Sequence, residues 1–146
     1  EKTMNANVRS NIWLCNMVVP QMAERDGGAV IIISSVAGLK GTDKIGIYGI
    51  TKAADAALTR NLAVEWGPKN VRVNCLAPSI IKTDMARALW EDPDIYNAAI
   101  KNYPLRRIGE VQEVAGAAVF LASGAGKFTS GHTLVIDGGA TISGEF

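Results

Sequence analysis

Two short apolar runs, separated by a helical segment, constrain the fold of this chain more than any other feature. The first run, residues 29–34, is rich in β-branched side chains and predicts a buried strand; the second, residues 71–76, predicts another. Between them, apolar side chains recur at helical spacing over residues 46–67. This order implies a parallel pair of strands with a right-handed crossover. The carboxyl ends of both strands should therefore open on one edge of the sheet, where open α/β sheets bind their ligands.

Polar side chains suited to proton transfer stand at that edge. Ser35 follows the first strand, whereas Tyr48 and Lys52 lie one turn apart near the start of the helix and project from the same face. A phenol is a poor acid–base group at neutral pH, but a fixed ammonium one turn away favours the phenolate. Tyr48 is therefore a candidate proton donor, and Ser35 can hold a carbonyl or alcohol oxygen in line with that proton.

Composition argues against several classes of partner. The chain has 146 residues, 48% of them hydrophobic, and a net charge of +1, which suits one domain with a core. Its charges are interspersed and no apolar run reaches about 18 residues, so neither nucleic acid nor a membrane is indicated. A small-molecule partner is expected.

Cys15 and Cys75 lie in apolar segments, which predicts buried reduced thiols and a cytoplasmic setting. The lone His132 has no metal-ligand partner nearby, so no metal site is predicted.

The remaining elements follow from periodicity. Residues 1–24 are predicted to form a helix kinked at Pro20, and residues 110–123 an amphipathic helix before a closing strand at 133–136. The apolar stripe of the first helix comprises Met4, Val8, Ile12, Cys15 and Val19. Residues 84–108 contain two short helical patterns in a long irregular connection, as expected of a lid over a binding site.

The spacing S-x12-Y-x3-K of Ser35, Tyr48 and Lys52 resembles the catalytic core of the short-chain dehydrogenase/reductase family. Two further segments resemble the family's motifs. Residues 1–8 resemble the helix that carries a catalytic Asn, and Asn7 is the matching position, with Asn5 as the rival. Residues 130–139 resemble the closing strand motif S-G-x-x-x-x-V-D-G-G. The resemblance implies that Asn7 holds, partly through local distortion of the helix, a water that relays protons to Lys52.

A further segment, residues 74–83, resembles the family's N-x-x-x-P-G-x-x-x-T segment, which contacts the nicotinamide. The resemblance implies that the main chain of Ile81 and the hydroxyl of Thr83 fix the carboxamide. Tyr48, Lys52, Pro78 and Ser79 complete the implied cofactor contacts. Ser79 stands where the family usually has Gly, and a side chain there is costly if the backbone needs positive φ, so a different or mildly strained turn is expected.

In the family, the region matching residues 84–108 is the substrate-covering loop. By that match, four side chains are candidates for lining it: Met85, Leu89, Trp90 and Tyr96. Arg106 and Arg107 could recognise an acidic substrate group, but solvated surface charge is the favoured interpretation.

The resemblance implies an α/β fold with a doubly wound parallel sheet of the Rossmann type. Residues 1–146 would form the C-terminal part of a single NAD(P)-binding domain, with a substrate-loop insertion at about 84–108. The glycine-rich turn and the ribose-reading residue that a dinucleotide needs are not in the sequence. On the order of 100 residues are therefore expected upstream of Glu1.

The implied activity is NAD(P)-dependent interconversion of a ketone or aldehyde and an alcohol. Residues 76–78 and 81–83, with Leu89 and Trp90 following, resemble carbonyl and retinal reductases, with 3-oxoacyl carrier-protein reductases as close rivals. This resemblance slightly favours NADP, and the sequence does not distinguish NADP from NAD. Two alternatives from other classes are a nucleotide-sugar epimerase relative and a noncatalytic module that acts only in subunit interaction. Surplus apolar residues on the first helix and on residues 46–67 predict a homotetramer, as the family often forms.

Overall fold

Three parallel strands form the centre of the fold. The computed structural model describes residues 1–143, and its sheet has the order β1-β2-β3, with β1 at Gly28–Ile33, β2 at Val71–Pro78 and β3 at Thr133–Ile136. Gly28 pairs with Val71, and Cys75 pairs with Thr133. The predicted parallel pair is confirmed, with β2 continuing two residues further than expected.

The helices of residues 1–143 are α1 (Lys2–Met4), α2 (Ser10–Ala23), α3 (Gly46–Trp66), α4 (Pro93–Ile100) and α5 (Val111–Ala122). Of these, α2, α3 and α5 pack on the strands. Short 3-10 turns cover Val36–Gly38, Gly67–Lys69, Asp84–Leu89 and Gly124–Gly126. A π-helical turn, Asn5–Arg9, joins α1 to α2 with helical backbone angles on both sides, so the predicted first helix is continuous.

One face of the sheet packs against α2 and α3. The core cluster on this face comprises Cys15, Val19, Ile32, Leu62, Val71 and Val73. Because side chains alternate along a strand, Arg72 points to the other face, where its Nη1 donates to the carbonyl of Leu121 at the end of α5, 2.7 Å away. Helices therefore cover both faces, as a doubly wound sheet requires.

The predicted apolar stripe of the first helix is partly wrong. Met4 and Ile12 are more than a third exposed, at 37% and 38%. The inward positions instead repeat every four residues, at Asn7, Asn11, Cys15 and Val19. The π-helical turn rotates Met4 relative to α2, because its repeat is wider than that of an α-helix. Ile12 lies within α2 itself, where Asn11 takes the inward position one turn before Cys15. Polar side chains, Asn7 and Asn11, therefore face α3.

Both cysteines are buried free thiols, as predicted. Burial raises the pKa of each thiol above its ordinary value. No helix within residues 1–143 combines the length and the apolar content needed to cross a membrane.

The closing D-G-G segment fixes the base of the lid. Oδ2 of Asp137 accepts hydrogen bonds from the backbone and the hydroxyl of Thr141, at 2.7 and 2.6 Å. Gly139 has φ +88°, and a Cβ there would lie 2.7 Å from Cγ of Pro104. The carbonyl of Gly138 accepts from the N–H of Leu105 at 3.2 Å. The motif is thus a structural connection between the sheet and the segment after α4.

Candidate active site

The two serines after β1 have different environments. Ser34 is buried, and its hydroxyl donates to the carbonyl of Lys52 at 2.7 Å. Ser35 is half-buried and extended, and its hydroxyl accepts from the N–H of Ala37 at 3.2 Å. The hydroxyl of Ser35 can still donate a hydrogen bond, as a residue that holds a substrate oxygen must.

A close approach brings the Ser35 loop to α3. The 3-10 turn Val36–Gly38 packs directly on the helix backbone, and a Cβ at Gly38 would lie 2.6 Å from the nitrogen of Ala53 and from the carbonyl carbon of Lys52. Contacts this short are not available to a side chain, so glycine is required here. The contact places Ser35 next to the helix that bears Tyr48.

The ammonium of Lys52 is fixed close to Tyr48. Its Nζ lies 5.8 Å from the centre of the Tyr48 ring and donates to the carbonyl of Ile33 at 2.8 Å and to Oδ2 of Asp55 at 3.0 Å. Only 11% of the Lys52 side chain is exposed. A positive charge held in a partly dry site acts more strongly on its neighbours than a solvated charge would.

Asn7 contacts α3 through Thr51. Its Nδ2 donates to the hydroxyl of Thr51 at 2.9 Å, and that hydroxyl donates to the carbonyl of Tyr48 at 2.7 Å. Asn7 lies within the π-helical turn, so the local distortion implied by the resemblance is present. Asn5 is exposed, which leaves Asn7 as the better candidate. That Asn7 holds a relay water stays a prediction.

Sequence reasoning missed two residues of this cluster, Asp55 and Asn11. Asp55 is completely buried in α3, and its Oδ1 accepts from Nδ2 of Asn11 at 2.9 Å. Two signals were available: an acid three residues after Lys52 in an alanine-rich helix, and an Asn four residues after Asn7. Neither signal alone distinguishes a buried polar residue from a solvated one.

The segment after β2 has an unstrained backbone. Within residues 1–143, three residues other than glycine have positive φ, at Asp26, Asn70 and Arg106, and Ser79 is not among them. The N–H of Ser79 donates to the carbonyl of Ile136 at 3.0 Å. Of the two expectations for this serine, a mildly strained turn is not observed, because its φ stays in the range that any residue adopts; a turn that differs from the family's stays a prediction.

Pro78, Ile81 and Thr83 lie at the carboxyl end of β2 or just beyond it. Ile81 bridges to Gly109 in parallel fashion. The hydroxyl of Thr83 accepts from the N–H of Ala86 at 3.3 Å and so caps the 3-10 turn Asp84–Leu89. The cofactor contacts assigned to this segment stay predictions.

The lid segment is more helical than its irregular sequence indicates. Asp92 caps α4 by accepting from the N–H groups of the next helical residues, and Pro93 opens the helix. Trp90 and Tyr96 line one cavity of about 410 Å³, and Nε1 of Trp90 donates to the carbonyl of Thr83 at 3.0 Å. Met85 is 93% exposed and Leu89 is also exposed. The structure therefore brings together two of the four predicted lid residues.

Arg107 forms an ion pair on the surface. Its two terminal nitrogens donate to both carboxylate oxygens of Glu113, at 2.8 and 2.6 Å. These bonds, with one from the N–H of Glu110, lower the pKa of Glu113 to about 2. The observation favours surface charge over recognition of an acidic substrate. His132 is exposed, and residues 1–143 contain no group of three or more side chains that could hold a metal ion.

Comparisons with known proteins agree with this fold. Residues 1–141 match the profile of a family described as enoyl-(acyl carrier protein) reductase. Dehydrogenase/reductase SDR family member 4 of Bos taurus is 41% identical over 140 residues, which are 96% of this chain and 50% of the bovine protein.

Solved structures give the same result. A short-chain type dehydrogenase/reductase from Mycobacterium ulcerans has a TM-score of 0.94 at 34% identity, covering 97% of this chain and 52% of that one. A gluconate 5-dehydrogenase from Burkholderia cenocepacia, in complex with NADP and tartrate, has a TM-score of 0.92 at 35% identity, covering 97% of this chain and 55% of that one.

This chain belongs to the short-chain dehydrogenase/reductase family, and its α/β fold with a parallel sheet is that of the family's Rossmann-type members. It spans about half the length of the relatives that it matches.

Proposed function

We propose that the complete protein is an NAD(P)-dependent oxidoreductase that interconverts a ketone or aldehyde and an alcohol. The observation that carries this proposal is the position of the Lys52 ammonium, which is fixed 5.8 Å from the centre of the Tyr48 ring. Both residues lie at the edge of the sheet where Ser35 follows β1. Residues 1–146 form the C-terminal part of the NAD(P)-binding domain, and residues 84–108 insert as its substrate loop. The carbonyl-reductase resemblance favours NADP, and the two buried thiols favour a cytoplasmic setting.

Each site residue has one role in the direction of reduction. Ser35 donates a hydrogen bond that orients the carbonyl oxygen, and Tyr48 donates its phenolic proton to that oxygen as charge develops there. Lys52 stabilises the phenolate that remains, and Asn7 holds the water from which the proton is replaced. A bound NADH or NADPH supplies the hydride to the carbonyl carbon, so one proton and one hydride together reduce the carbonyl.

The residues at this edge suit a nicotinamide nucleotide. The Lys52 ammonium has three N–H donors, and the carbonyl of Ile33 and the carboxylate of Asp55 take two of them. The third is available to a ribose hydroxyl. Pro78, Ser79, Ile81 and Thr83 would border the nicotinamide from the end of β2. Trp90 and Tyr96, with Met85 and Leu89, would cover a small-molecule substrate.

Replacing Lys52 by Met tests whether this edge binds the cofactor. We expect Lys52→Met in the complete protein to weaken NADPH binding by about 10-fold or more, because a charged donor to the ribose is lost. Fluorescence titration with NADH and NADPH measures the affinity. Lys69→Met, which changes an exposed lysine after α3, is the matched control. Failure of the unmodified complete protein to bind either nucleotide would favour the noncatalytic interaction module instead.

The complete protein is expected to be a homotetramer. Apolar side chains of α2 and α3 are exposed in residues 1–143: Trp13, Leu14, Met17, Ile47, Ile50 and Val64. Leu58, another apolar residue of α3, packs on the core instead. Pairing α2 and α3 with their copies about a two-fold axis would cover this surface, with α5 and β3 forming a second interface. Sedimentation at micromolar concentration measures the state, and a monomer would contradict the proposal.

A further inference from the structure

The buried acid beside the candidate proton donor has no role in the function proposed above. Asp55 is 0% exposed, and its Oδ2 lies 3.0 Å from Nζ of Lys52. Its Oδ1 accepts a hydrogen bond from Nδ2 of Asn11 at 2.9 Å. A buried carboxylate is costly unless its charge is paired and its oxygens are hydrogen-bonded. Both conditions are met here, so Asp55 can carry the negative charge that pairs with the Lys52 ammonium.

Asn11 fixes Asp55 from the neighbouring helix. The same Nδ2 donates to the carbonyl of Asn7 at 2.7 Å, within the π-helical turn. An amide nitrogen has two N–H groups, so these bonds use both of them. The orientation of the Asn11 side chain is thereby determined, and the position of the carboxylate on α3 is tied to that of α2.

We propose that Asp55, held by Asn11, is a positioning residue for Lys52. Asp55 fixes the Lys52 ammonium beside Tyr48, and its negative charge limits how strongly that ammonium favours the Tyr48 phenolate. The inference rests on the proposed function, in which Lys52 acts on Tyr48. A lysine has a flexible four-carbon stem, and one acceptor does not hold its head group in a single place. The carbonyl of Ile33 and the carboxylate of Asp55 together do so.

The other groups around Asp55 do not duplicate its charge. Within residues 1–143, the titratable groups that face it are Lys52 on α3 and Cys75 on β2. Burial raises the pKa of the Cys75 thiol, and the nearby charge of Asp55 raises it further, so this thiol is neutral near neutral pH. From α2, the uncharged Asn11 donates to Asp55. Removing the charge of Asp55 therefore leaves Lys52 uncompensated.

The test is the pH at which Tyr48 ionises in the full-length protein. We expect Asp55→Asn to lower this midpoint by about one pH unit, because the uncompensated ammonium favours the phenolate more strongly. The midpoint is read from phenolate absorbance in an alkaline titration, after subtracting the same protein with Tyr48→Phe. The pH profile of kcat/KM should move by the same amount. A purely structural role would lower stability and leave both midpoints in place.

The matched control is Glu65→Gln, which alters an exposed acid on the same helix, outside the proposed site. Its midpoint should equal that of the unmodified protein. If Asp55→Asn does not fold, a double variant that combines Asn11→Asp with Asp55→Asn keeps one carboxylate among residues 11, 52 and 55. That double variant should lower the midpoint by less than one unit, because its charge is further from Lys52.

An unchanged or raised midpoint in the folded variant would overturn the role of Asp55. The absorbance titration needs no substrate, so the role of Asp55 and the proposed reaction can be rejected independently of each other. A lowered midpoint in a protein without carbonyl-dependent turnover would reject the proposed reaction and keep the role of Asp55. Normal turnover with an unmoved midpoint would reject the role of Asp55 alone.

Discussion

Tyr48→Phe in the complete protein is expected to cut turnover by about 10²-fold or more, with little change in folding. The substitution removes the phenolic proton that the carbonyl oxygen receives, and losing a general acid lowers the rate by this amount. Tyr48 is half-buried and the structure gives its hydroxyl no structural partner within residues 1–143, so the effect should fall on kcat. Steady-state kinetics and circular dichroism measure the two quantities.

Tyr103→Phe is the matched control, because it removes a phenolic hydroxyl that has no proposed role in proton transfer. Tyr103 is buried, and its oxygen accepts from the N–H of Ile80 at 3.3 Å. We expect this variant to lower the free energy of unfolding by about 1 kcal/mol and to change turnover by no more than about threefold. Unchanged turnover in Tyr48→Phe would remove Tyr48 from the mechanism.

Gly38→Val should damage both stability and catalysis. The added side chain would meet the backbone of α3 at Ala53 and Lys52, 2.6 Å from its Cβ, and backbone atoms in a helix cannot move aside at low cost. We expect the free energy of unfolding to fall by about 3 kcal/mol, the upper range for overpacking. Turnover should fall by about 10- to 100-fold, because the loop that holds Ser35 is displaced from Tyr48.

Gly41→Val is the control in the same loop. A Cβ at Gly41 meets no atom within 4 Å, and its backbone φ is compatible with a side chain. Urea unfolding and steady-state kinetics should give values close to those of the unmodified protein. Equal effects of the two substitutions would contradict the assignment of the Gly38 contact.

The parallel core was predictable because its signals are local. The β-branched run before Ser34 and the helical spacing after Gly46 each specify one element, and the crossover rule then fixes how the strands pair. The spacing of Tyr48 and Lys52 likewise follows from helix geometry. These predictions needed no knowledge of distant contacts.

The inward face of the first helix was not predictable by the same means. Apolar periodicity selects Ile12 as inward, whereas the inward position at this level of α2 is the polar Asn11, and the π-helical turn at Asn5–Arg9 shifts the residues before it. The burial of Asp55 depends on Asn11, which lies 44 residues away. An acid in an alanine-rich helix is usually solvated, so only the pairing of the two helices reveals this one. The φ of Ser79 similarly depends on the turn that the chain adopts after β2.

The most direct test of the proposed function is the transfer of hydrogen from a labelled cofactor. The complete protein would be incubated with nicotinamide nucleotide carrying deuterium at C4, in its NADH and NADPH forms, and with a panel of small ketones and aldehydes. We predict that deuterium appears on the carbinol carbon of at least one alcohol product, and that Tyr48→Phe suppresses its formation. Nucleotide binding without label transfer to any carbonyl carbon in the panel would contradict the proposed function.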